Sequence, residues 1–383
     1  MRILQPDIPH ILFLFSDTGG GHRSASEAII EALDLEFPNR MTYEMVDLFR
    51  EYAPPPLNMA PEIYPPLSRM PSAWGFGFRQ TNNPRRIRNI NNMAWPYIRR
   101  SIYRLVEEHP CDLIVSVHPL MNTPVLRTFK RRKYPFITVV TDMVSTHAAW
   151  FDNRADLIIV PTETARQNGI KFGIPEEKLT VVGLPVADRF CRKEKDPLDI
   201  RKELGWPHEI PVILLVGGGE GMGPLEKTAY AINKARLEVA LAVITGRNRD
   251  MKKRMEQFSW NVPVSIYGFV RNMPEFMQAA NVLVTKAGPG TISEACISGL
   301  PIILYNKMPG QEDGNVDYVV NEGAGIWAPE PDQVVATLRS WLSAPELRWQ
   351  VASACRRIAR PQAAREIARI LANHVGITKP EQV

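Results

Sequence analysis

Short apolar segments that alternate with helical patterns are the feature that most limits how this chain can fold. A first series comprises Ile11–Phe15, Leu113–Val117, Phe136–Val140, Leu157–Val160 and Leu179–Val182. A second series comprises Val212–Val216, Val239–Ile244, Val264–Tyr267, Val282–Thr285 and Pro301–Leu304. Uninterrupted apolar strands are buried on both faces, and their alternation with helices is typical of parallel sheets built from βαβ units. The sequence therefore predicts an α/β chain with two doubly wound, Rossmann-like domains.

A polar stretch separates the two series and predicts the domain boundaries. We expect an N-terminal domain over 1–187, a linker over 188–208 and a second domain over 209–345. The remaining residues, 346–383, have a helical composition in which Pro361 predicts a break or kink. Within the first domain, residues 52–92 depart from α/β spacing and are rich in proline, aromatic residues and arginine. This composition predicts a long irregular insert, of a kind that is usually functional or mobile.

The composition limits the class of protein and its partners. With 45% hydrophobic and 23% charged residues, the chain is typical of a folded globular protein. The net charge of +5 fits an anionic partner, such as a nucleotide, a phosphate or an acidic lipid surface, without choosing among them. The cysteines lack metal-ligand spacing, which indicates reduced thiols. No apolar run approaches the ~20 residues that span a bilayer, and the N-terminus does not resemble a signal peptide.

A glycine run lies between the first predicted strand and the helix that follows it. Gly19, Gly20 and Gly21 precede His22 at the start of this helix. Such a run allows close approach of a ligand to the backbone and places free N–H groups at the positive end of the helix. The spacing is neither GxGxxG nor GxxxxGK[ST], which disfavours a dinucleotide site and a P-loop. The alternative is a tight turn in which the histidine caps local structure.

The second domain carries two further glycine-rich loops. The loop after Val212–Val216 includes Gly218 and Gly219. After Val282–Thr285, Gly288 and Gly290 lead into a helix whose first turn holds Thr291. N–H groups, the helix dipole and a hydroxyl at one helix start suit a diphosphate.

Polar side chains near this predicted diphosphate site indicate that the ligand also has a ribose and a sugar. Glu294, about one helical turn in, is a poor phosphate ligand but can accept both hydroxyls of a ribose. The next strand-end loop contains Gln311, Glu312 and Asn315, short polar side chains of the kind that sugar hydroxyls require. The alternative is a capped helix followed by an ordinary polar loop.

Four sequence blocks resemble a known enzyme family. SDTGGGHRSASEAI (Ser16–Ile29) is similar to the N-terminal signature of the monogalactosyldiacylglycerol synthase and processive diacylglycerol glucosyltransferase family, and Thr285–Val320 is similar to its donor-site signature. VTDMVSTHAAWF (Val140–Phe151) and VVGLPVADRF (Val181–Phe190) are further similar blocks in the expected order. The resemblance covers most of the chain. A more distant one is to the GlcNAc transferase of peptidoglycan precursor synthesis.

The family resemblance implies the GT-B architecture, glycosyltransferase family 28, in which two Rossmann-like domains face each other across a cleft and C-terminal helices cross back to the N-terminal domain. It implies inverting, metal-independent transfer of galactose or glucose from a UDP-sugar to the hydroxyl of 1,2-diacylglycerol, without a cofactor. By position, Phe269 and Val270 flank the uracil, Gly288 to Thr291 hold the diphosphate, and Glu294 binds the ribose. Gln311 and Glu312 then bind the sugar, while His22 and Asp142 lie beside the acceptor as alternative bases. His147 and Trp150, in the same block as Asp142, are further acceptor-side candidates.

The insert over 52–92 combines apolar anchors with cations. Trp74 and Phe76 precede Arg85 and Arg86, a pattern typical of an interfacial membrane contact. A second basic cluster follows at Lys130–Lys133. We therefore expect a peripheral protein on the cytoplasmic side of an anionic membrane surface, with no nucleic-acid partner. A partly buried loop and a solvated run of charges is the alternative.

Two other functions share some of these features. A transferase of the peptidoglycan-precursor type would use UDP-GlcNAc and a polyprenyl-linked acceptor with the same donor loops, although the GGGHRSAS block speaks against it. A non-catalytic nucleotide-sugar-binding protein would be expected to lack His22, Glu294 or Gln311, and all of them are present. The sequence does not distinguish a galactose from a glucose donor, and it gives no oligomeric state.

Overall fold

The chain folds into two compact units. The computed structural model describes residues 8–18, 21–63, 70–129, 134–192 and 194–378. Unit 1 comprises residues 1–188, 309–311 and 361–383, and unit 2 comprises residues 189–308 and 312–360. Each unit is built on one six-stranded sheet.

The sheet of unit 1 is parallel throughout its described pairs and has the order β2-β1-β3-β4-β5-β6. Its strands are β1 (His10–Phe15), β2 (Thr42–Asp47), β3 (Leu113–Ser116), β4 (Phe136–Val139), β5 (Leu157–Val160) and β6 (Leu179–Val181). The central strands β1, β3 and β4 are buried along their whole length, as continuous apolar runs in a covered sheet must be.

Helices cover both faces of this sheet. They are α1 (Gly21–Glu36), α2 (Leu48–Tyr52), α3 (Pro71–Thr81), α4 (Pro84–Glu108), α5 (Pro119–Thr128), α6 (Glu163–Lys171) and, near the C-terminus, α15 (Ala363–His374). On one face, Phe13 of β1 shares a hydrophobic core with Ile29 of α1 and Ile367 of α15. On the other face, Leu12 and Leu14 share a core with helices α4 and α5.

Unit 2 repeats the same plan with the sheet order β12-β11-β10-β7-β8-β9. Its strands are β7 (Val212–Val216), β8 (Ala240–Ile244), β9 (Val264–Tyr267), β10 (Val282–Lys286), β11 (Ile302–Asn306) and β12 (Gly325–Trp327). The helices are α7 (Pro197–Leu204), α8 (Leu225–Lys234), α9 (Arg249–Glu256), α10 (Met273–Ala279), α11 (Pro289–Ser298), α12 (Asp313–Asn321), α13 (Pro331–Ser343) and α14 (Pro345–Ile358). The predicted fold class, α/β with two Rossmann-like parallel sheets, is confirmed.

Three segments differ from their sequence-based description. The C-terminal part of the insert over 52–92 is helical rather than irregular, because α3 and the start of α4 occupy 71–81 and 84–92. Proline stands at the first turn of each of these helices, where it favours a helix rather than breaking one. The segment predicted as a linker, 188–208, contains helix α7, and Arg201 on this helix donates to the carbonyl of Ala279 at 2.8 Å, which joins it to unit 2.

The two C-terminal helices belong to different units. Helix α14 lies in unit 2, where the thiol of Cys355 contacts the carbonyl of Ala324 at 3.1 Å. Only α15, after the predicted break at Pro361, lies in unit 1. There Arg365 donates to Asp188 at 2.7 Å and Arg369 donates to Glu36 at 2.9 Å. Within the described ranges, no helix is long and apolar enough to cross a membrane.

Candidate active site

The order of strands in unit 1 places a crevice at the ends of β1 and β3. These neighbouring strands lie where the direction of the chain across the sheet reverses, so the loops at their carboxyl ends diverge. Ligands of open α/β sheets bind at such a position. His22, in the first turn of α1, and His118, at the N-cap of α5, meet there with ring centroids 4.6 Å apart. Gly21 is exposed, while Gly19 and Gly20 lie outside the described residues.

The imidazole of His22 is neutral and oriented by two neighbours. Its Nδ1 is 3.0 Å from the hydroxyl of Thr141, and the ring also donates a hydrogen bond to the carbonyl of Val117. Burial disfavours the imidazolium ion and lowers the pKa of His22 to about 4, against the smaller opposing effect of the Val117 hydrogen bond. Since the ring donates its single proton, its second nitrogen is an unprotonated base near neutral pH. The residue nevertheless retains partial solvent contact.

Asp142 follows β4 and is fixed through both carboxylate oxygens. The indole Nε1 of Trp150 donates to Oδ2 at 2.7 Å, and the amide of Gln311 donates to Oδ1 at 3.0 Å. Trp150 is fully buried in a core of unit 1. In this structure its side chain holds Asp142 in place, and its role at the acceptor stays a prediction.

The other acceptor-side candidates lie on α3, on α4 and in the loop after β4. His147 contacts the hydroxyl of Thr81 at 3.1 Å through Nε2, and burial lowers its pKa to about 4. On α3, Trp74 is half-buried, whereas Phe76 is 64% exposed. Arg85 and Arg86, in the first turn of α4, are exposed. The basic cluster at 130–133 lies outside the described residues.

Unit 2 has its own switch point, between β7 and β10. Gly218, after β7, has a positive φ of 70°, a conformation that favours glycine. A side chain at this position would approach the aliphatic part of Lys286, at the end of β10, to 3.2 Å. Gly219 is exposed next to it. The two glycines thus leave a backbone surface open beside a cation.

Helix α11 begins at this edge of the sheet. Gly288, at its N-cap, supplies no side-chain cap, and Pro289 has no N–H, so Gly290 and Thr291 carry the first N–H groups of the helix. A Cβ atom added to Gly290 would meet no atom within 4 Å. The start of α11 therefore has the space, the N–H donors and the positive dipole end that suit an anionic group.

Glu294 lies one turn further along α11 with an unusual ionisation. Burial raises the pKa of Glu294 to about 7, against the opposing charge of Arg189. The carboxyl group is therefore partly protonated at neutral pH, where it can donate as well as accept a hydrogen bond. A group of this kind suits hydroxyl partners, such as those of a ribose.

The loop after β11 is anchored to the same strand ends. Glu312 is buried, forms an ion pair with Lys286 and accepts a hydrogen bond from the N–H of Met308 at 2.8 Å. Asn315 is buried and donates to the carbonyl of Ala287 at 2.9 Å. Its Oδ1 has no hydrogen-bond partner among the described atoms and is therefore available to a ligand.

Phe269 and Val270 lie after β9. Phe269 is 56% exposed, and the guanidinium of Arg247 stacks over its ring at 4.9 Å. Arg247 in turn pairs with Glu220 at 2.6 Å. Val270 is partly exposed beside them. The exposed aromatic face and the adjacent cation form a surface that a base and a phosphate can share.

Two residues at these edges, Thr141 and Arg247, were not assigned a role from the sequence. Thr141 contacts His22 directly, and Arg247 stands beside Phe269. Their signal in the sequence is only that each follows an apolar strand. Within the described ranges, no group of three or more His, Cys, Asp or Glu residues is arranged to hold a metal ion.

Comparisons with known proteins agree in both units. A family model described as monogalactosyldiacylglycerol (MGDG) synthase matches residues 22–186, and one described as the glycosyltransferase family 28 C-terminal domain matches residues 212–354. The chloroplastic MGDG synthase of Spinacia oleracea is 38% identical over 366 residues, which cover 92% of this chain and 70% of the relative. MGDG synthase 1 of Arabidopsis thaliana is 36% identical over 366 residues, or 92% of this chain and 68% of the relative.

Solved structures share the fold at lower identity. MurG of Acinetobacter baumannii has a TM-score of 0.59 at 15% identity, over 95% of this chain and 99% of that chain. MnaA of S. aureus, solved with UDP, has a TM-score of 0.64 at 14% identity, over 98% of this chain and 100% of that chain. These likenesses show the GT-B-like fold alone. Because the similarity to the synthases extends through the residues of both units, this chain belongs to the MGDG synthase family of glycosyltransferases.

Proposed function

We propose that this chain is an inverting glycosyltransferase that moves galactose from UDP-galactose to the free hydroxyl of 1,2-diacylglycerol, which gives a β-galactosyldiacylglycerol. The observation that carries the proposal is the 38% identity, over 92% of the chain, to a protein named an MGDG synthase. The two family models include His22 and Asp142 in one and Gly288–Asn315 in the other. The peptidoglycan-precursor alternative has only a fold-level likeness to support it.

The chemistry of unit 1 fits activation of an alcohol. Inversion by a single displacement requires the acceptor oxygen to attack the anomeric carbon while its proton leaves to a base. His22 is neutral at physiological pH because burial lowers its pKa to about 4, so its unprotonated nitrogen can receive this proton. Asp142, which the hydrogen bonds from Trp150 and Gln311 hold, is the alternative base.

The chemistry of unit 2 fits a departing nucleoside diphosphate. As the bond from the anomeric carbon to the phosphate oxygen breaks, negative charge develops on the diphosphate. The N–H groups of Gly290 and Thr291 and the dipole of α11 favour that charge, and Lys286 supplies a cation at the adjacent strand end. With these groups in place, we expect a transfer that does not require a divalent metal.

The nucleoside and sugar have separate candidate contacts. We infer that Phe269 and Val270 flank the base, that Glu294 binds the ribose, and that the loop around Glu312 and Asn315 binds the hexose. The free Oδ1 of Asn315 supports the last assignment, because a buried acceptor without a partner gains most from a hydroxyl. Gln311 binds Asp142 in this structure and so serves the acceptor-side carboxylate.

An exposed stripe on α4 supports contact with an anionic membrane surface. Ile90, Met93 and Tyr97, at helical spacing, are 45%, 82% and 52% exposed. The exposed side chains of Arg86 and Arg100 lie one helical turn beyond the two ends of this stripe. The sequence has no acidic residue from 63 to 106, so opposite charges within this segment do not neutralise its arginines. Apolar anchors flanked by cations are suited to the interface of an anionic bilayer.

The activity is tested with purified protein, diacylglycerol in mixed vesicles, and UDP-galactose and UDP-glucose in competition, with chelator present. We expect a galactolipid whose anomeric proton shows the β configuration by NMR. The variant His22→Ala should abolish turnover, while the matched control His208→Ala, an exposed histidine of unit 2, should not. Absence of glycolipid from either donor refutes the proposal, an α-linked product refutes inversion, and transfer only from UDP-glucose refutes the donor assignment.

The membrane contact has a separate test. Each arginine near an anionic surface contributes about 1 kcal/mol, so the double variant Arg86→Gln/Arg100→Gln should weaken binding to vesicles rich in phosphatidylglycerol by about thirtyfold. Replacement of Met93 by Gln should weaken it without a change of charge. The control Arg40→Gln, an exposed arginine away from α4, should leave binding unchanged. Equal binding by all these proteins would contradict the membrane-contact proposal.

A further inference from the structure

His118 lies against the proposed base but is not itself open to a substrate. It is 4% exposed, and its ring contacts His22 on one side and the ring of Phe49, at 5.5 Å between centroids, on the other. A buried polar side chain in such a position must be satisfied by hydrogen bonds. Both ring nitrogens of His118 have partners.

These partners determine where the ring carries its proton. The backbone N–H of Leu120 donates to Nδ1 at 3.3 Å, which requires Nδ1 to be unprotonated. The neutral ring therefore carries its proton on Nε2, which is 3.1 Å from the hydroxyl oxygen of Thr18. Protonation of Nδ1 would break the cap of α5, and burial also lowers the pKa of His118 well below its usual value. His118 is thus a fixed neutral donor to Thr18.

The position of Thr18 in the chain explains why this hydrogen bond matters. It lies in the loop after β1, a few residues before His22, whereas His118 lies in the loop after β3. The Nε2–H···Oγ1 hydrogen bond therefore joins the two loops that diverge at the switch point of unit 1.

We propose that His118 is a positioning residue for the transfer reaction: its hydrogen bond to Thr18 ties the end of β1 to the end of β3, and its ring edge fixes the imidazole of His22 beside Thr141. This inference rests on the proposed function, in which His22 takes the acceptor proton. No proton leaves or enters His118. A geometric role of this kind affects the chemical step and leaves the binding of UDP-galactose, which belongs to unit 2, unchanged.

Two variants of Thr18 separate the hydroxyl from the volume of the side chain. Thr18→Val removes the acceptor oxygen at nearly the same size, while Thr18→Ser retains it. A single hydrogen bond contributes about 1 kcal/mol, so we expect Thr18→Val to lower kcat about fivefold. Thr18→Ser should keep kcat within about twofold of the parent, and KM for UDP-galactose should change less than about twofold in both.

A substitution of His118 completes a double-mutant cycle with Thr18→Val. Asparagine is a favourable N-cap that can still accept from the N–H of Leu120, but it is too short to reach Thr18. His118→Asn should therefore lower kcat as Thr18→Val does, and the double variant should be no slower than the slower single variant. Denaturant unfolding checks that α5 and unit 1 remain folded.

An independent measurement keeps failure of this inference distinct from failure of the proposed function. Nitrogen-15 NMR of the imidazoles should show His118 as the Nε2–H tautomer, and Thr18→Val should shift the ring signals of His22. If the parent protein makes no glycolipid, the proposed function fails while this readout still tests the contact. Equal kcat for Thr18→Val and Thr18→Ser, effects that multiply in the double variant, or an Nδ1–H tautomer of His118 would each overturn the positioning role.

Discussion

The ionisation of His22 leads to a sharp prediction about the acid side of the pH–rate profile. An unperturbed histidine has a pKa of about 6.5, whereas burial lowers that of His22 to about 4. If His22 is the base, transfer requires its neutral form. At about pH 5.5, a group with a pKa near 4 is about 97% neutral, whereas one with a pKa near 6.5 is only about 9% neutral. Burial should thus preserve roughly tenfold more activity at this pH.

The assay must separate the titration of His22 from the titration of groups at the donor site. Glu294 has a pKa raised to about 7, and if it binds the ribose as proposed, its titration also makes donor binding depend on pH. We therefore propose measuring kcat/KM for diacylglycerol at saturating UDP-galactose, so that the titrating form is the enzyme–donor complex. The expected profile is flat from about pH 7 to about pH 5 and falls with a midpoint near 4.

A matched variant checks why the pKa of His22 is low. Thr141→Val removes the hydroxyl 3.0 Å from Nδ1 but preserves the buried environment, so it should lower the rate while leaving the midpoint low. A parent profile that falls with a midpoint near 6.5 would refute the burial argument. If His22→Ala lowered kcat/KM at every pH but left its fall at low pH unchanged, that fall would instead be assigned to Asp142.

Other predictions concern stability and the donor site. Gly290→Ala should raise the unfolding free energy of unit 2 by about 0.5–1 kcal/mol, because alanine favours a helix. The same variant should weaken UDP binding, as measured by calorimetry. Tighter UDP binding would contradict a diphosphate at this position. Glu294 has a folded pKa raised from its usual value to about 7, so its contribution to stability is present below about pH 4.5 and is lost as the pH rises through 7. Glu294→Gln should therefore stabilise unit 2 at pH 8 relative to the parent and not at pH 4.5, as denaturant titrations at the two pH values can show. His22 and His147 have folded pKa values lowered to about 4, so the stability of unit 1 should be present above about pH 6.5 and decline as the pH falls toward 4. His147→Gln should make this decline shallower, and an unchanged acid midpoint would contradict it.

The sequence by itself determined the two parallel sheets. Strands such as Val212–Val216 and Ala240–Ile244 are continuous apolar runs because both of their faces are buried, so they have no polar positions. Two edge strands were not predicted from the sequence. Strand β2 carries Glu44 on a partly exposed edge, and β12 has only the residues Gly325–Trp327, so neither presents a long apolar run. Residues 71–81 and 84–92 of the segment that reads as irregular are helical, and Pro71 and Pro84 stand in the first turns of these helices, where proline is favourable.

The sequence also located the polar loops of both units, because glycine runs and short polar clusters follow the strands directly. Only the tertiary structure decided what each side chain does there. Trp150 and Asp142 are eight residues apart, yet their hydrogen bond depends on the turn after β4 and on a core that buries the indole. His22 and His118 come from distant parts of the chain and meet because β1 and β3 are neighbours in the sheet. The low pKa of His22 and the high pKa of Glu294 follow from burial, which is a property of the packed fold and not of the residue type.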